Sequence, residues 1–371
     1  MSSRRGSLLT ALLLTAALFC AMPNLLESLT TRDSNRMDQR LRPAKSRTLT
    51  VWLMPSSIGD RKLLNELCAA FEKENDGVRI YLRSVTDTEL AAEDVVLPDI
   101  LLHSTSSIQT PEQWLLPMTE PEGIAADALS SGYSSAKLYA IPLWYSPNVL
   151  SIPASWFKED DAPTVTPKPS SFFNLQTPAP TLSEHAPAAY LTADDLPWNQ
   201  LLSPGSLVLL DGVALQQLLF VCPTQLRDEL ISSCRAATDA SADITPARVQ
   251  TLAAHQSAAA SGQDITALPL TPAASDCVRY ASLCKNGDDA LAFLDFFISN
   301  AAQATVPSHS LLPAATVSIA SDAITGALYE GFQNGCLFPN AFAYTPQELD
   351  SLCHDAFLRN LDPVQTLLRL R

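Results

Sequence analysis

The fold is decided by residues 48–84, which read TLTVWLMPSSIGDRKLLNELCAAFEKENDGVRIYLRS. The stretch opens with TLTVWLM, in which β-branched and apolar residues predominate, as is typical of a buried strand. A loop follows and leads to Asp60, which we predict to cap a helix over 60–75. The apolar residues of that helix recur at positions i, i+3, i+4 and i+7, namely Leu64, Leu67, Cys68 and Phe71. The stretch ends with VRIYLRS, whose alternation of apolar and other residues predicts a second strand.

A third strand is predicted at 98–104, which read PDILLHS. The order strand, helix, strand, helix, strand, without short hairpin turns, predicts a parallel sheet with right-handed crossovers. Open sheets of this kind bind ligands beyond the carboxyl ends of their strands. We therefore predict ligand contacts from the loops at 54–59 and 103–106, through Met54, Ser56, His103 and Ser104.

Residues 138–153, LYAIPLWYSPNVLSIP, predict two short strands where the chain crosses between two lobes. Between the strands lie Trp144 and Tyr145, and aromatic faces stack on sugar rings or on cations. We predict that both residues contact the ligand, with ordinary core packing as the alternative for Trp144. Trp198 and Asp211 are predicted to add contacts from the second lobe, again with a structural role as the alternative.

The rest of the chain alternates between regular and irregular stretches. Residues 158–197 are rich in Pro, Ser, Thr and Ala, which predicts a long irregular insertion. Order resumes with SLVLLD at 206–211, and an apolar run lies at 277–283. Helices are predicted at 213–222, 224–237, 246–259, after Asn286 with a stripe of Ala290, Phe293, Leu294 and Phe297, near 319–333 and at 346–360.

The composition is that of a folded, acidic protein. Of the 371 residues, 47% are hydrophobic and 17% are charged, so the chain can bury a core and is long enough for two lobes. The formal net charge is -15 at pH 7. A surface this acidic repels phosphate backbones, so we expect no nucleic-acid partner.

The first residues have the pattern of an export signal. Arg4 and Arg5 precede an apolar run over residues 8–22, which is shorter than the roughly 20 residues of a full membrane span. We predict residues 1–24 to be a signal peptide or an uncleaved membrane anchor, and 25–47 to be a polar tether. The protein is therefore expected at the outer face of the cytoplasmic membrane, or secreted.

The eight cysteines leave several arrangements open. Lipidation at Cys20 is one alternative for the N-terminus, although Phe19 stands where bacterial lipoproteins have a small residue. Seven cysteines follow the signal, so at least one has no partner within the chain. Their spacings would permit local disulfides in an oxidising compartment, at Cys222/Cys234, Cys277/Cys284 and Cys336/Cys353.

Signatures of enzymes and metal sites are absent from the sequence. It has no GxSxG, HExxH, P-loop or GxGxxG motif and no CxxC, and its five histidines fall at no ligand spacing. Asp194 and Asp195 are adjacent, but neighbouring side chains point apart, so we interpret them as a helix cap or a solvated turn. We predict no catalytic residue, no metal and no cofactor.

Six short motifs follow one another in an order that is informative as a set. They are LTVW (Leu49–Trp52), FEKENDGV (Phe71–Val78), PDILL (Pro98–Leu102), YAIPL (Tyr139–Leu143), AxxFLxFxxSxxxQ (Ala290–Gln303) and LLPA (Leu311–Ala314). Together they resemble the extracellular solute-binding proteins of ABC importers, of the maltose-binding type (family 1). The resemblance covers roughly residues 48–150 and 275–371, and the chain departs from the family pattern between them.

The resemblance implies a two-lobe α/β fold of the periplasmic-binding-protein type (type II), with a ligand cleft between the lobes. Lobe one would comprise 46–143 plus 276–320, and lobe two 144–275 plus 321–371. The implied function is the capture of a small polar ligand, a sugar or oligosaccharide, by hinge closure and without catalysis. The implied partners are that ligand, an ABC permease and the membrane through the N-terminal segment, and the implied state is a monomer.

Three other functions stay open. The chain has Ile152 and Pro153 where the family usually shows an asparagine, which favours a degenerate, membrane-anchored sensor or scaffold without a ligand. An exported hydrolase would need a carboxylate pair or a Ser/His constellation that faces the cleft. The third alternative is a soluble exported binding module that works independently of any transporter.

Overall fold

The structure is a computed structural model that describes residues 47–92, 94–157, 191–203, 205–208, 211–236 and 246–371. Its strands are β1 (Arg47–Leu53), β2 (Val78–Ser84), β3 (Ile100–Ser104), β4 (Tyr133–Ser134), β5 (Lys137–Leu138), β6 (Ile141–Tyr145), β7 (Asn148–Pro153), β8 (Leu207–Val208), β9 (Ala247–Thr251), β10 (Ile265–Pro269), β11 (Ala273–Ala274), β12 (Val278–Leu283), β13 (Leu312–Pro313) and β14 (Cys336–Leu337). The segment 1–24 with Cys20, and most of 25–47 and 158–197, lie outside the described residues.

The helices are mostly short. They are α1 (Arg61–Glu74), α2 (Asp87–Leu90), α3 (Ala126–Leu129), α4 (Trp198–Leu201), α5 (Gly212–Val221), α6 (Arg227–Ala236), α7 (Leu252–Ala260), α8 (Asp288–Ile298), α9 (Asn300–Gln303), α10 (Ala323–Gln333), α11 (Pro346–Leu358) and α12 (Pro363–Arg369). Across the described ranges, every helix is too short or too polar to serve as a membrane span.

By its internal contacts the chain divides into two compact units. Of the smaller unit, the structure describes residues 47–48 and 74–79, and the amide of Arg47 donates a hydrogen bond to the carbonyl of Gly77 at 2.7 Å. The larger unit comprises residues 49–73 and 80–371, and it contains the candidate site and all of the secondary structure discussed below except the first two residues of β1 and of β2 and the last residue of α1.

The first lobe is organised around a six-stranded sheet with the order β13-β6-β12-β3-β1-β2. The predicted order of strands and helices at its start is confirmed, and β1 runs parallel to β3 with Val51 opposite Ile100. The sheet as a whole is mixed, because β12 runs antiparallel to β3 and β6 runs antiparallel to β12. The prediction of a parallel sheet therefore holds for β1 and β3 but not for the strands that later parts of the chain add.

The predicted amphipathic helix over 60–75 is confirmed as α1, and it buries its apolar stripe against α8. Phe71 of α1 meets Phe293 of α8 edge-on, with ring centroids 4.8 Å apart, and lies 5.4 Å from Phe296. Each large apolar side chain that is fully buried in this way stabilises the fold by about 1.5–3 kcal/mol. The helical periodicity of the two segments is thus explained by one shared core.

The second lobe is organised around a four-stranded sheet with the order β10-β7-β9-β8. β7 lies antiparallel to both β10 and β9, and β8 runs parallel to β9. One face of this sheet buries Leu150, Ile152 and Val249 in an apolar cluster with residues of α5 and α6. The ordered stretch expected at 206–211 contains β8, and the helices predicted at 213–222 and 224–237 correspond to α5 and α6.

The prediction of a continuous helix over 246–259 is wrong at its start. Residues 247–251 form β9, in which Ala247 and Val249 are buried and Arg248 is exposed. This alternation has the period of a strand, and Thr251 then caps α7 by accepting a hydrogen bond from the amide of Ala254 at 3.3 Å. The helix therefore begins only at Leu252.

Candidate functional site

The two sheets are linked where β6 leads into β7 and where β10 leads into β12. We call the linking residues, 146–147 and 270–277, the crossing. The amide of Ser146 donates to the carbonyl of Cys277 at 3.0 Å, and the hydroxyl of Ser275 donates to the carbonyl of Ser146 at 2.9 Å. The two linkers therefore run side by side. Because binding sites occur preferentially where domains meet, the crossing is the place to look for a site.

A buried ion pair lies in the first lobe beside the crossing. Arg279 donates from Nε to Oδ2 of Asp60 at 2.7 Å and from Nη2 to Oδ1 at 3.0 Å, which is a bidentate arrangement. Nη2 of Arg279 also donates to the hydroxyl of Ser56 at 2.9 Å, and Nη1 donates to the carbonyl of Met54 at 3.4 Å. Asp60 directly precedes α1, as predicted for its cap, and its carbonyl accepts from the amide of Leu64 at 3.0 Å. Its side chain meanwhile holds the loop after β1 against β12.

Met54 and Ser56, two of the predicted ligand contacts, belong to this network. The side chain of Met54 is 1% exposed, so it packs in the core of the first lobe rather than facing a ligand. The hydroxyl of Ser56 also accepts a hydrogen bond from the amide of Ile58 at 3.1 Å, so its hydrogen-bonding capacity is largely used within the loop. The loop is thus placed near the crossing as predicted, but these two side chains hold its conformation.

Trp144 and Tyr145 lie inside β6 and are buried on opposite faces of the sheet. Trp144 is 0% exposed, donates from Nε1 to Oδ2 of Asp60 at 2.8 Å and meets Phe297 edge-on. Tyr145 is 1% exposed and packs against Phe338, with ring centroids 4.9 Å apart. Burial raises the pKa of Tyr145 well above its usual value. Neither ring offers a face to solvent, so the stacking role that we predict for them has no accessible surface in this structure.

His103 is a buried core residue of β3. Its ring stacks on Tyr280 with centroids 5.5 Å apart, and its Nε2 lies 2.9 Å from the hydroxyl of Ser282. Burial lowers the pKa of His103 to about 4, so the imidazole is neutral at pH 7. The neighbouring Ser104 forms a hydrogen bond with the hydroxyl of Ser107 at 2.7 Å. Both residues end β3 at the predicted position, but their polar atoms are bonded within the first lobe.

Three carboxylates gather at the second-lobe side of the crossing, and we call them the acidic cluster: Asp211, Asp276 and Asp350. Asp211 caps α5 by accepting from the amide of Ala214 at 2.6 Å, and Asp350 accepts from the amide of Gly212 at 2.7 Å. Within the described ranges, no lysine or arginine forms an ion pair with these carboxylates. The cluster therefore leaves negative charge where the chain passes between the lobes.

The ionisation of the acidic cluster reflects this crowding. Burial raises the pKa of Asp211 to about 7, and the charges of Asp276 and Asp350 add to the effect. The pKa of Asp276 is also raised, mainly by burial and further by the charge of Asp350. Of the predicted ligand contacts, Asp211 is the acidic one, and it lies beside the crossing. The residue is only partly buried.

Sequence reasoning missed Ser57, Asp276 and Cys277. The exposed hydroxyl of Ser57, in the loop after β1, lies 3.4 Å from the Sγ of Cys277 in the crossing. Burial raises the pKa of Cys277 to about 12, and the neighbouring Asp276 adds to this, so the sulfur is a neutral thiol. The signal that could have located them is positional: Ser57 lies in the predicted ligand loop at 54–59, and Asp276 and Cys277 directly precede the apolar strand β12.

Trp198 is not one of the residues gathered at the crossing. It is half-buried in α4 and packs against the apolar cluster of the second sheet. The structure therefore supports the structural alternative that we give for Trp198, and it does not bring Trp198 together with Asp211.

Disulfides and metal sites are absent from the described part of the chain. All seven cysteines from Cys68 to Cys353 are free thiols. A Cys277/Cys284 disulfide is excluded by geometry, because the extended strand β12 separates the two by roughly 20 Å and a disulfide needs Cα atoms within about 7 Å. In the same described ranges, no three His, Cys, Asp or Glu side chains are arranged to hold a metal ion.

Comparisons by sequence find no relatives. No protein-family model matches the chain. No curated protein matches it either.

Comparisons by structure find many similar chains. The cyclic α-maltosyl-1,6-maltose binding protein of Arthrobacter globiformis is 14% identical, with a TM-score of 0.54 over 87% of this chain and 98% of its own. The GacH receptor of Streptomyces glaucescens, solved unliganded and with acarbose, is 14% identical, with a TM-score of 0.52 over 87% of this chain and 97% of its own.

An ABC transporter solute-binding protein of Thermotoga lettingae, bound with α-D-tagatose, is 13% identical, with a TM-score of 0.51 over 88% of this chain and 100% of its own. These three structures are binding proteins, and each likeness extends over nearly the whole of the similar protein. The chain therefore has the two-lobe α/β fold of ABC-transporter solute-binding proteins.

Proposed function

We propose that the chain is the extracellular solute-binding component of an ABC transporter, and that it captures a small polar ligand by hinge closure. The observation that carries the proposal is the fold itself, in which two sheets are joined through the crossing. A fold of this kind can open and close about its linkers without breaking either sheet. No chemical step is needed for such a function.

A sugar or oligosaccharide is the ligand class that we propose. The similar structures named above are a cyclic α-maltosyl-1,6-maltose binding protein, a receptor solved with acarbose and a protein bound with α-D-tagatose, which supports this class. The acidic cluster and Ser57 suit it chemically, because carboxylate oxygens accept hydrogen bonds from sugar hydroxyls and a serine hydroxyl both donates and accepts. In this proposal Asp211, Asp276 and Ser57 replace the predicted aromatics as the contact residues.

Further parts of the proposal follow from the same function. The partner would be an ABC permease that recognises the closed form, the N-terminal segment 1–24 would hold the protein at the outer face of the membrane, and the protein would act as a monomer without enzymatic activity. The lobe ranges 46–143 plus 276–320 and 144–275 plus 321–371 stay a prediction, which limited proteolysis of the unliganded protein tests.

The test is a binding screen on the purified chain. Sugars, oligosaccharides, amino acids and polyamines are compared by thermal shift, and each positive is measured by isothermal titration calorimetry. A ligand that binds only the native state at 100 times its Kd adds about 2.7 kcal/mol to the free energy of unfolding. Asp276→Asn should then weaken sugar binding roughly ten-fold, since it removes the charge from a hydrogen bond worth about 1.5–3 kcal/mol.

The matched control is Asp355→Asn on the exposed face of α11, where Asp355 pairs with Arg359. This variant should bind the sugar as the unmodified chain does. Equal weakening by both substitutions would contradict a contact role for Asp276.

A degenerate sensor or scaffold without a transported ligand is the second candidate function. One observation favours it: the rings of Trp144 and Tyr145 are buried, so the crossing has no aromatic platform from these residues. This candidate predicts no thermal shift with any sugar, from protein whose folding is verified by circular dichroism.

A further inference from the structure

A polar groove lies on the four-stranded sheet, at the end farther from the crossing. We call it the distal groove. It has a volume of about 450 Å³, and its lining includes Ser151, Arg248, Gln250, Gln263, Asp264 and Ile265. The crossing enters β7 at Asn148, whereas the groove lies beside Pro153 at the other end of that strand. Five residues of extended chain separate the two ends, which corresponds to about 16 Å.

The face of the sheet that carries the groove changes character along its length. Near the crossing, Val149 and Ala267 pack with Leu252 of α7 in an apolar cluster. Farther along, Ser151 and Arg248 stand directly opposite each other on β7 and β9. α7 covers the apolar half of this face, so the polar half is left as a concave surface beside it. A surface with these properties suits a polar small molecule better than it suits a packed core.

The floor of the groove is fixed by a row of hydrogen bonds. The side-chain amide of Gln250 donates to the hydroxyl of Ser151 at 2.8 Å, and Ser151 lies 2.8 Å from the Nδ1 of His255. The serine oxygen accepts from Gln250 and has both a hydrogen and a second lone pair to offer Nδ1, so this bond forms with either neutral tautomer of His255. Burial lowers the pKa of His255, in agreement with a neutral ring. This row holds the polar floor in one conformation.

Two opposite charges line the distal groove without neutralising each other. Arg248 and Asp264 are both exposed, and in the described part of the chain neither forms an ion pair. A guanidinium is suited to bidentate binding of a carboxylate, and a carboxylate is suited to binding an ammonium group. A volume of about 450 Å³ falls within the range of small-molecule sites.

We propose that the distal groove is a second small-molecule site, separate from the crossing, that binds a zwitterion of the α-amino-acid class. The carboxylate of the ligand would bind Arg248 and its ammonium group would bind Asp264, while Gln263 and the floor contribute neutral hydrogen bonds. This proposal does not depend on sugar binding at the crossing, because the two places share no lining residue.

The test is isothermal titration calorimetry on the full chain with each common L-α-amino acid in turn. For an amino acid that binds, the N-acetyl derivative and the carboxamide derivative each remove one charge, and both should bind at least ten-fold more weakly. Arg248→Gln and Asp264→Asn should each weaken binding of the free amino acid roughly ten-fold or more, because each removes a charged hydrogen bond. Both side chains are exposed, so the melting temperatures should stay close to that of the unmodified chain.

Combining each variant with the matching ligand derivative assigns each charged group of the ligand to one side chain of the groove. Arg248→Gln should no longer distinguish the free acid from its carboxamide, and Asp264→Asn should no longer distinguish the free amine from its N-acetyl derivative. Arg359→Gln, on the exposed face of α11, is the charge-matched control and should bind the amino acid normally.

Three outcomes would overturn the proposal. These are no binding of any α-amino acid at millimolar concentration, binding that both groove variants leave unchanged, or binding that Asp276→Asn abolishes, which would place the amino acid at the crossing. The first two outcomes leave sugar binding at the crossing untouched, whereas the third makes an amino acid the ligand of the crossing, so failure of the distal groove and failure of the proposed sugar site are told apart.

Discussion

The pair formed by Asp60 and Arg279 illustrates how single residues set the geometry beside the crossing. Both side chains are almost fully buried, and their charges are compensated by each other and by hydrogen bonds to Trp144 and Ser56. Removing two charges from water is costly, and in a buried pair the attraction between them often does no more than offset that cost. The pair therefore specifies where the loop after β1 sits more than it adds net stability.

We predict that Arg279→Met lowers the free energy of unfolding by about 3–5 kcal/mol, because it leaves the carboxylate of Asp60 buried without its partner. Urea denaturation at pH 7 measures the change. The double variant with Asp60→Leu should recover part of the loss, since no unpaired charge then remains. A loss no larger than that of Arg359→Met, which removes an exposed ion pair worth about 0.5 kcal/mol, would contradict the interpretation.

The raised pKa of Asp211 predicts how the stability of the protein depends on pH. Its pKa in the folded protein is raised by burial to about 7, whereas an unfolded aspartate titrates near 4. Between these values the native state holds a proton that the unfolded state has lost, so this contribution to stability falls as the pH rises from 4 to 7. Above pH 7 both states are ionised, and the full penalty of the buried charge remains.

Asp211→Asn keeps an oxygen that can accept from the amide of Ala214 but removes the charge. We expect it to raise the free energy of unfolding at pH 8 by about 1–3 kcal/mol, since one pKa unit corresponds to about 1.4 kcal/mol, and to change little at pH 4. Melting curves of both proteins across this range measure the difference. Asp362→Asn, at the exposed cap of α12, is the control and should show no gain that depends on pH. A gain of equal size at pH 4 would argue against ionisation as its cause.

The roles of these residues were only partly accessible from sequence. The rule that ligand loops follow the strand ends places Met54 and Ser56 in the loop after β1 and His103 near the end of β3, but it does not state which way each side chain points. Asp60 and Arg279 are 219 positions apart, so no local pattern relates them. Trp144 has the same local sequence whether its ring is stacked on a ligand or packed on Phe297, and only the three-dimensional neighbours decide.

At the scale of elements, the close packing of α5 against α11 is set by Gly212. A Cβ atom at this position would lie 2.6 Å from the carbonyl oxygen of Asp350 and 2.6 Å from the Cβ of Cys353. Contacts this short with backbone cannot be relieved by rotating a side chain. The start of α5 therefore approaches α11 closely because residue 212 is glycine, and this approach brings Asp350 to the amide that it binds.

We predict that Gly212→Ala destabilises the protein by about 1–3 kcal/mol, because the two helices must move apart. Gly326→Ala in α10 is the matched control: a Cβ there meets only the side-chain oxygen of Ser321, at 3.3 Å. The control should be neutral or stabilise by up to about 1 kcal/mol, as expected for alanine in a helix. Urea denaturation of both variants measures the contrast, and equal effects would contradict the role of Gly212.

Elements were predictable where one periodicity dominates and failed where two compete. The helix over 60–75 has a single apolar stripe that packs on α8, and its bounds are recovered within a residue as Arg61–Glu74. The stretch 246–259 is rich in alanine, which favours a helix, but its first residues alternate between buried and exposed as a strand does. There the sheet decides, because β7 pairs with residues 248–251 of this segment.

At the scale of the whole molecule, the two-lobe topology was predicted from the resemblance to a known family and not from the periodicity of apolar residues. The alternation of strands and helices predicts the parallel pairing of β1 with β3, but the insertion of β12 beside β3 joins segments that are far apart in sequence. Long-range pairing of this kind leaves no local trace. The order of the six short motifs carried that information, because it reflects a complete two-lobe fold.

Hinge closure predicts that ligand binding brings the two lobes closer together. If a sugar binds to groups on both sides of the crossing, the closed arrangement gains contacts that the open one lacks, so the ligand shifts the population toward it. Small-angle X-ray scattering should then show a smaller radius of gyration at saturating ligand, and Asp276→Asn at the same ligand concentration should shrink less. Such a ligand must bind the closed state about 10⁴-fold more tightly to convert a population from 1% to 99% closed. Binding with full affinity and unchanged scattering would mean that the crossing holds its ligand without acting as a hinge.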